Sequence, residues 1–124
     1  MKVIYIAGPY RASNAWALEQ NIRTAEYAAY NVAQKGASFI CPHTNSRNFD
    51  GTITDQFWLD ATMELMRRCD AVLVVGIAPE KSVGTTLEII EAHRTGLPVF
   101  KGTKAMSHLQ RWLETGEEVS DEGL

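Results

Sequence analysis

The feature that most constrains the fold of this chain is the alternation of short apolar runs with segments in which apolar residues recur at helical spacing. The clearest run is 70–76, Asp-Ala-Val-Leu-Val-Val-Gly, which is rich in valine and ends at a glycine. Similar runs predict strands at residues 2–7, 37–41 and 97–100. Apolar strands that alternate with helices are typical of a parallel sheet covered by helices on both faces. The chain is therefore predicted to be a three-layer α/β protein.

Helices are predicted between and after these strands, each with an apolar stripe that faces the sheet. The stripes are Leu18, Ile22, Ala25, Ala29 and Val32; Phe57, Trp58, Ala61, Leu65 and Met66; Val83, Leu87 and Ile90; and Met106, Leu109, Trp112 and Leu113. The candidate N-caps are Ser13 or Asn14, Thr54 or Asp55, Ser82, and Thr103. Residues 43–54 are polar and predicted to form a long loop, which in a compact domain is typical of a functional segment.

Length and composition favour one soluble domain. The 124 residues are 45% hydrophobic and 22% charged, and no apolar run approaches the roughly 20 residues of a membrane span. We expect a single domain at residues 1–116 and a flexible acidic tail at 117–124. The chain starts directly with a strand and shows no signal-peptide pattern, so the expected location is the cytoplasm.

Charge and cysteine usage exclude several classes of function. Twelve Lys and Arg residues against fifteen Asp and Glu residues give a net charge of −3, which disfavours a duplex nucleic-acid binder. A small anionic ligand needs only local positive potential and stays compatible with this charge. Cys41 and Cys69 stand alone, as reduced core residues do, and no spacing indicates a metal site. We expect neither a metal nor an organic cofactor.

Candidate chemistry lies where the strands end, since ligands of parallel α/β sheets bind beyond the carboxyl ends of the strands. Ser82 and Gly84 open a helix whose free amides could bind an anion, although Ser82 is equally compatible with a plain N-cap. Glu88 follows on the same helix, where a solvated surface acid is the ordinary alternative. His43 follows the second strand, where a structural hydrogen-bonding role is the commoner one.

The segment 8–11, Gly-Pro-Tyr-Arg, follows the first strand. Glycine allows close backbone approach and Arg11 could bind phosphate, although an ordinary βα turn is as good an interpretation. The segment has neither a dinucleotide-binding fingerprint nor a P-loop pattern.

Together these segments resemble the nucleoside 2-deoxyribosyltransferase superfamily. The resemblance rests on Tyr-Ile-Ala-Gly-Pro-Tyr-Arg at 5–11, Cys-Pro-His at 41–43, Cys-Asp-Ala-Val at 69–72, and Ser82, Gly84 and Glu88 with Ala92. It implies a flavodoxin-like fold and cleavage of an N-glycosidic bond through a covalent glycosyl-enzyme, with Glu88 as the nucleophile and Tyr5 positioning it.

The resemblance is closest to the branch that hydrolyses deoxynucleoside 5′-monophosphates, because Ser82 stands where nucleoside transferases carry an acid. The residues that it assigns to the phosphate are Gly8, Pro9, Tyr10, Arg11, Ser82 and Gly84. It assigns His43, Asn45 and Asp60 to the base and sugar. Pro9 and Tyr10 depart from the loop of that branch.

One departure bears on activity: Thr62 stands where the superfamily carries an Asp that helps to handle the base or sugar. Asp60 and Asp55 are the nearby acids. The alternative function is therefore a nucleotide-binding module with weak or lost catalysis. The resemblance also implies a homodimer or a dimer of dimers. The predicted contact is the helix around Phe57, Trp58 and Leu65, unless those side chains only cover the sheet.

Overall fold

The computed structural model describes residues 1–49 and 51–118. Within these residues four strands form one sheet, namely β1 Val3–Ala7, β2 Ser38–Ile40, β3 Ala71–Val74 and β4 Val99–Phe100. The strand order is β2-β1-β3-β4, and every neighbouring pair is parallel. The helices are α1 Ala15–Gln34, α2 Pro42–Asn45, α3 Asp55–Arg67, α4 Val83–Arg94 and α5 Ala105–Thr115, with a 3₁₀ turn at Pro79–Lys81.

The two faces of the sheet follow from the side-chain alternation of its strands. Ile4 and Ile6 of β1 pack in one buried cluster with α1 and α5. Tyr5 and Ala7 pack in a second cluster with α3 and α4 on the opposite face. The predicted three-layer α/β architecture is confirmed, and it places Tyr5 on the same side of the sheet as α4.

Two of the predicted helix starts are confirmed in detail. The Asn14 side chain accepts a hydrogen bond from the amide of Ala17 at 2.8 Å and caps α1. The Thr54 hydroxyl accepts one from the amide of Phe57 at 3.2 Å and caps α3. These bonds satisfy amides that have no partner inside the helix.

The apolar stripe predicted for α4 is wrong. Val83, Leu87 and Ile90 are 76%, 41% and 59% exposed. The residues that α4 turns toward the sheet include Thr85 and Ala92, which are almost fully buried. Small side chains let the helix approach the strands closely, so its most hydrophobic stripe is not the stripe that it buries.

Three smaller predictions also differ from the structure. The long loop begins with the short helix α2, since a proline is well suited to the first helical position. Helix α5 is preceded by Lys104 without a side-chain cap, not by Thr103. On α3 the stripe shifts, because Phe57 is 45% exposed and Met63 is buried.

Other predictions concern single residues and the ends of the chain. Cys41 and Cys69 are both buried and unbridged, as predicted.

In the described part of the chain, no helix combines the length and the apolar character needed to cross a membrane. Of the predicted tail at 117–124, residues 119–124 lie outside the described residues.

Candidate active site

A cleft of about 200 Å³ opens at the carboxyl edge of the sheet, between the end of β1, helix α2, helix α3 and the start of α4. It is bordered by Tyr5, Ile6, Gly8, Tyr10, Arg11, Pro42, His43, Ser46, Asp55, Trp58, Leu59, Thr62, Gly84 and Glu88. Its position is the one expected for a ligand site in a parallel α/β sheet.

At the base of the cleft, Tyr5 and Glu88 form a hydrogen-bonded pair. Tyr5 is fully buried in β1, and its hydroxyl donates to Oε2 of Glu88 on α4. Burial raises the pKa of Glu88 to about 7, although the hydrogen bond from Tyr5 lowers it. A carboxyl group with such a pKa is partly ionised at neutral pH, so it can act as a nucleophile or as a base.

Thr62 is the third polar group at the base of the cleft. The pKa of Tyr5 is raised, first by burial and then by the charge of Glu88 and the hydrogen bond to it, whereas the neighbouring Thr62 side chain lowers it. The Thr62 hydroxyl also donates to the carbonyl of Leu59 at 3.0 Å. Helix α3 thus places a neutral hydroxyl, and no carboxylate, beside the Tyr5–Glu88 pair.

The N-terminus of α4 forms one wall. The Ser82 hydroxyl accepts hydrogen bonds from the amide and the hydroxyl of Thr85, at 3.2 and 2.9 Å. Ser82 is therefore an N-cap, which orders the first turn. The amides of Val83 and Gly84 lie in the first turn of α4, where no carbonyl of the helix can accept a hydrogen bond from them. Gly84 also borders the cleft. This wall offers backbone donors and the positive end of the helix dipole.

Gly8 is required by close packing of the backbone. A Cβ at this position would lie 2.7 Å from the carbonyl oxygen of Val75, the residue that follows β3. At the same place the Val75 amide donates a hydrogen bond to the Ala7 carbonyl at 2.8 Å, which joins the ends of β1 and β3. Glycine thus lets the two strand ends approach each other below the cleft.

Arg11 and Asp55 lie at the mouth. Nη2 of Arg11 is 2.7 Å from Oδ1 of Asp55, the first residue of α3, and their side chains are 76% and 78% exposed. The Arg11 guanidinium, which the sequence predicts to bind a phosphate, therefore already pairs with a carboxylate.

Aromatic rings form the remaining wall. His43 is buried, its Nε2 lies 2.9 Å from the Pro9 carbonyl, and its ring meets Tyr10 edge-on at 5.7 Å. Burial lowers the pKa of His43, so the neutral ring donates from Nε2 to the Pro9 oxygen. Trp58 is flanked by Phe49 and Phe57, with ring centroids 5.9 and 5.1 Å away. A planar ligand would find flat apolar surface here.

Within residues 1–49 and 51–118, no group of three or more His, Cys, Asp and Glu side chains is arranged to hold a metal ion.

A family model described as a domain of unknown function, DUF7768, matches residues 2–101. The chain belongs to the DUF7768 family. That match covers all four strands and the helices α1 to α4, and therefore the whole cleft. No curated protein matches the sequence significantly.

Solved structures share the fold of this DUF7768 chain. A 2-deoxyribosyltransferase from Bacillus psychrosaccharolyticus is 17% identical, with a TM-score of 0.60 over 79% of this chain and 69% of the other. A conserved protein from Enterococcus faecalis V583 is 22% identical, with a TM-score of 0.57 over 95% and 78%. A 2-desoxiribosyltransferase from Leishmania mexicana is 21% identical, with a TM-score of 0.52 over 98% and 75%. The resemblance seen in the sequence thus extends to the deoxyribosyltransferase fold.

Most of the predicted site residues of the DUF7768 chain meet at the cleft. Those that border it are Tyr5, Gly8, Tyr10, Arg11, His43, Gly84 and Glu88. Pro9 contributes its carbonyl to His43, and Ser82 acts as the α4 cap. Among the described residues, Asn45 and Asp60 are exposed and do not border the cleft, and the Asp60 carboxylate accepts from Gln56 at 2.8 Å.

Sequence reasoning did not assign Ile6, Leu59 or Trp58 to the site. Trp58 was predicted only as a contact between subunits or as cover for the sheet. Its position two turns before Met66 on an amphipathic helix gives no signal that distinguishes a cleft wall from a core residue.

Proposed function

We propose that this chain cleaves or transfers the N-glycosidic bond of a deoxynucleoside 5′-monophosphate. The observation that supports this most is the Tyr5–Glu88 pair at the base of a cleft sized for a small planar ligand. The shared fold of two deoxyribosyltransferases supports the same class of chemistry.

In the proposed reaction an ionised Glu88 oxygen attacks C1′ of the sugar. The C1′–N bond breaks, its electron pair leaves with the base, and the base takes a proton from solvent. The glycosyl ester on Glu88 is then attacked at C1′ by water, which gives hydrolysis, or by the nitrogen of a second base, which gives transfer. Either attack breaks the ester C1′–O bond and frees the carboxylate, and the attacking water or base nitrogen loses its proton to solvent. Tyr5 holds the attacking oxygen in place.

The preference for a monophosphate follows from the wall at the start of α4. Ser82 is neutral, so this wall carries no charge that repels a phosphate, and the Val83 and Gly84 amides are donors of the right polarity. Arg11 brings a guanidinium to the mouth, where Asp55 pairs with it. A free nucleoside would leave these donors unused.

A second candidate function is nucleotide binding without turnover. It is favoured by Thr62, because a neutral hydroxyl replaces the expected acid beside Tyr5 and Glu88. Among the described residues that border the cleft, the carboxylic acids are Glu88 and Asp55, and Asp55 is at the mouth. Among these described residues, no second acid beside Glu88 is then placed to protonate the leaving base, and this disfavours turnover.

Incubation with deoxynucleoside monophosphates separates the two functions. The protein is mixed with each of the four common deoxynucleoside 5′-monophosphates and each matching deoxynucleoside, and free base is measured by liquid chromatography. We expect base release, faster from the monophosphates. Addition of a second base to the mixture distinguishes hydrolysis from transfer. Saturable binding without release would favour the second function, and the absence of both would contradict the proposal.

We also propose that the chain assembles with copies of itself, as a homodimer or a dimer of dimers. The predicted contact around Phe57, Trp58 and Leu65 is not the most exposed apolar surface, since Leu65 packs in the core and Trp58 borders the cleft. The outer face of α4 exposes three large apolar side chains, Val83, Leu87 and Ile90, whereas the predicted contact exposes only Phe57. That face adjoins Gly84 and Glu88, so a second copy there would lie beside the open cleft.

Light scattering at micromolar concentration is expected to give at least the mass of a dimer. Leu87→Glu is expected to yield a folded monomer, since a buried charge without a partner disfavours association. Trp58→Glu tests the contact predicted from the sequence. A monomeric mass for the unmodified protein would contradict self-association, and a dimer that survives Leu87→Glu but not Trp58→Glu would place the contact on α3.

A further inference from the structure

Arg11 and Asp55 bridge the mouth of the cleft from opposite sides. Arg11 belongs to the loop after β1, whereas Asp55 is the first residue of α3. Their charged atoms are 2.7 Å apart, and both residues border the cleft. Any ligand that places an anion near Arg11 therefore meets a guanidinium that already has a carboxylate partner.

This ion pair is easy to exchange. Both side chains are more than three quarters exposed, and exposed ion pairs contribute little because water and salt screen them. A phosphate can bind a guanidinium through two parallel hydrogen bonds and gains more than a single carboxylate contact. The amides at the start of α4 add donors that Asp55 does not use.

We propose that Asp55 is the residue that sets the charge selectivity of the cleft. It holds Arg11 across the mouth while the cleft is empty and releases it to a ligand that carries a phosphate. This inference rests on the proposed function for the identity of that ligand. Because Oδ1 of Asp55 lies 2.7 Å from Nη2 of Arg11, the competitor of the phosphate comes from the protein itself.

The consequence is that the two halves of one ion pair have opposite effects on binding. Arg11→Ala removes the phosphate contact and weakens binding of a monophosphate. Asp55→Asn removes the competitor and strengthens it. Because the competitor acts through Arg11, Asp55→Asn has no effect once Arg11 is absent. The uncharged nucleoside does not take Arg11 from Asp55, so neither substitution changes its affinity much.

The experiment compares these variants in a Glu88→Gln background, which stops turnover. Dissociation constants are measured calorimetrically for the four deoxynucleoside 5′-monophosphates and the matching deoxynucleosides. Inorganic phosphate is titrated as a third probe, followed by NMR shifts of the backbone amides. Asp60→Asn is the matched control, since it removes a carboxylate from the same helix outside the cleft.

We expect Asp55→Asn to tighten monophosphate and inorganic phosphate binding by the same factor, about 3- to 5-fold, with nucleoside affinity within about twofold. Arg11→Ala is expected to weaken monophosphate binding about tenfold or more. The double variant is expected to match Arg11→Ala. Asp60→Asn is expected to leave all three ligands unchanged.

Several results would overturn the proposal. Asp55→Asn that leaves phosphate affinity unchanged or weaker shows that Asp55 does not compete. Weaker nucleoside binding in Asp55→Asn shows that Asp55 instead binds a sugar hydroxyl. If the double variant binds phosphate more tightly than Arg11→Ala alone, Asp55 repels the phosphate directly and does not act through Arg11. These outcomes are independent of base release: the expected pattern without any base release would support the role of Asp55 while contradicting catalysis.

Discussion

Glu88→Gln is expected to abolish base release, by about a thousandfold or more, while the protein stays folded. Glutamine keeps the shape and can still accept the hydrogen bond from Tyr5, but it cannot form the glycosyl ester. Removal of a group that forms the covalent intermediate lowers kcat by orders of magnitude. The measurement is free base produced from the best monophosphate of the panel.

Asp60→Asn is the matched control for this result. It also replaces a carboxylate by an amide, at a position where the side chain is exposed and hydrogen-bonded to Gln56. Its activity should equal that of the unmodified protein. If Glu88→Gln retained activity within about threefold of the parent, covalent catalysis by Glu88 would be excluded.

The same substitution should stabilise the protein at alkaline pH. Glu88 has a usual pKa of 4.5 and a pKa of about 7 in the folded chain, so folding takes up a proton between these values. The native state binds more protons than the unfolded state in that window, and the free energy of unfolding therefore falls as the pH rises from 4.5 to about 7. At about 1.4 kcal/mol per pH unit, the loss reaches at most about 3 kcal/mol.

Glutamine does not ionise and avoids this loss. In denaturant unfolding, Glu88→Gln and the parent should have similar stability below pH 4.5. The variant should become the more stable of the two by about 1–3 kcal/mol at pH 8. Equal stability at both pH values would show that Glu88 is not held in a site that opposes its ionisation. A buried carboxyl group with a raised pKa thus lowers the free energy of unfolding at the pH at which it ionises.

The sequence predicts those features of the site that arise within a single strand or helix. The alternation along β1 puts Tyr5 opposite Ile4 and Ile6, and the side-chain caps Asn14 and Thr54 act on amides three residues away. Such features arise within one element, so the order of residues is sufficient to predict them. The fold class follows because only a sheet covered on both faces buries four apolar runs.

Helix α4 shows where such reasoning fails. Its hydrophobic stripe, at Val83, Leu87 and Ile90, points outward, while its inner side carries Thr85 and Glu88. Near the cleft the inner side of the helix is small and polar, because it borders the cleft as well as the core. Periodicity assigns the apolar stripe to the core, so the prediction is wrong on the helix that carries Glu88.

Contacts between distant elements were beyond local reasoning. Thr62 is identified in the sequence as a departure, but its position beside Tyr5 depends on how α3 packs over β1. Asp60, two positions before it, lies on another side of the same helix and outside the cleft, as a rotation of about 200° requires. The pair of Arg11 and Asp55 joins the loop after β1 to the start of α3, and their approach depends on how these elements pack.

Tyr5→Phe is expected to lower kcat/KM at pH 7 by about 10- to 100-fold and to move the acid limb of the pH profile to higher pH. The Tyr5 hydroxyl donates to Glu88 and lowers its pKa, so its removal raises the pKa of Glu88 above about 7. The reactive form is the ionised carboxylate, and less of it is then present at neutral pH. Part of the loss should therefore be recovered as the pH is raised, whereas the part due to lost positioning should persist. Tyr27→Phe, at an exposed position on α1, removes a hydroxyl outside the cleft and should leave the profile unchanged. A drop in activity with an unmoved limb would show that Tyr5 orients Glu88 without tuning its ionisation.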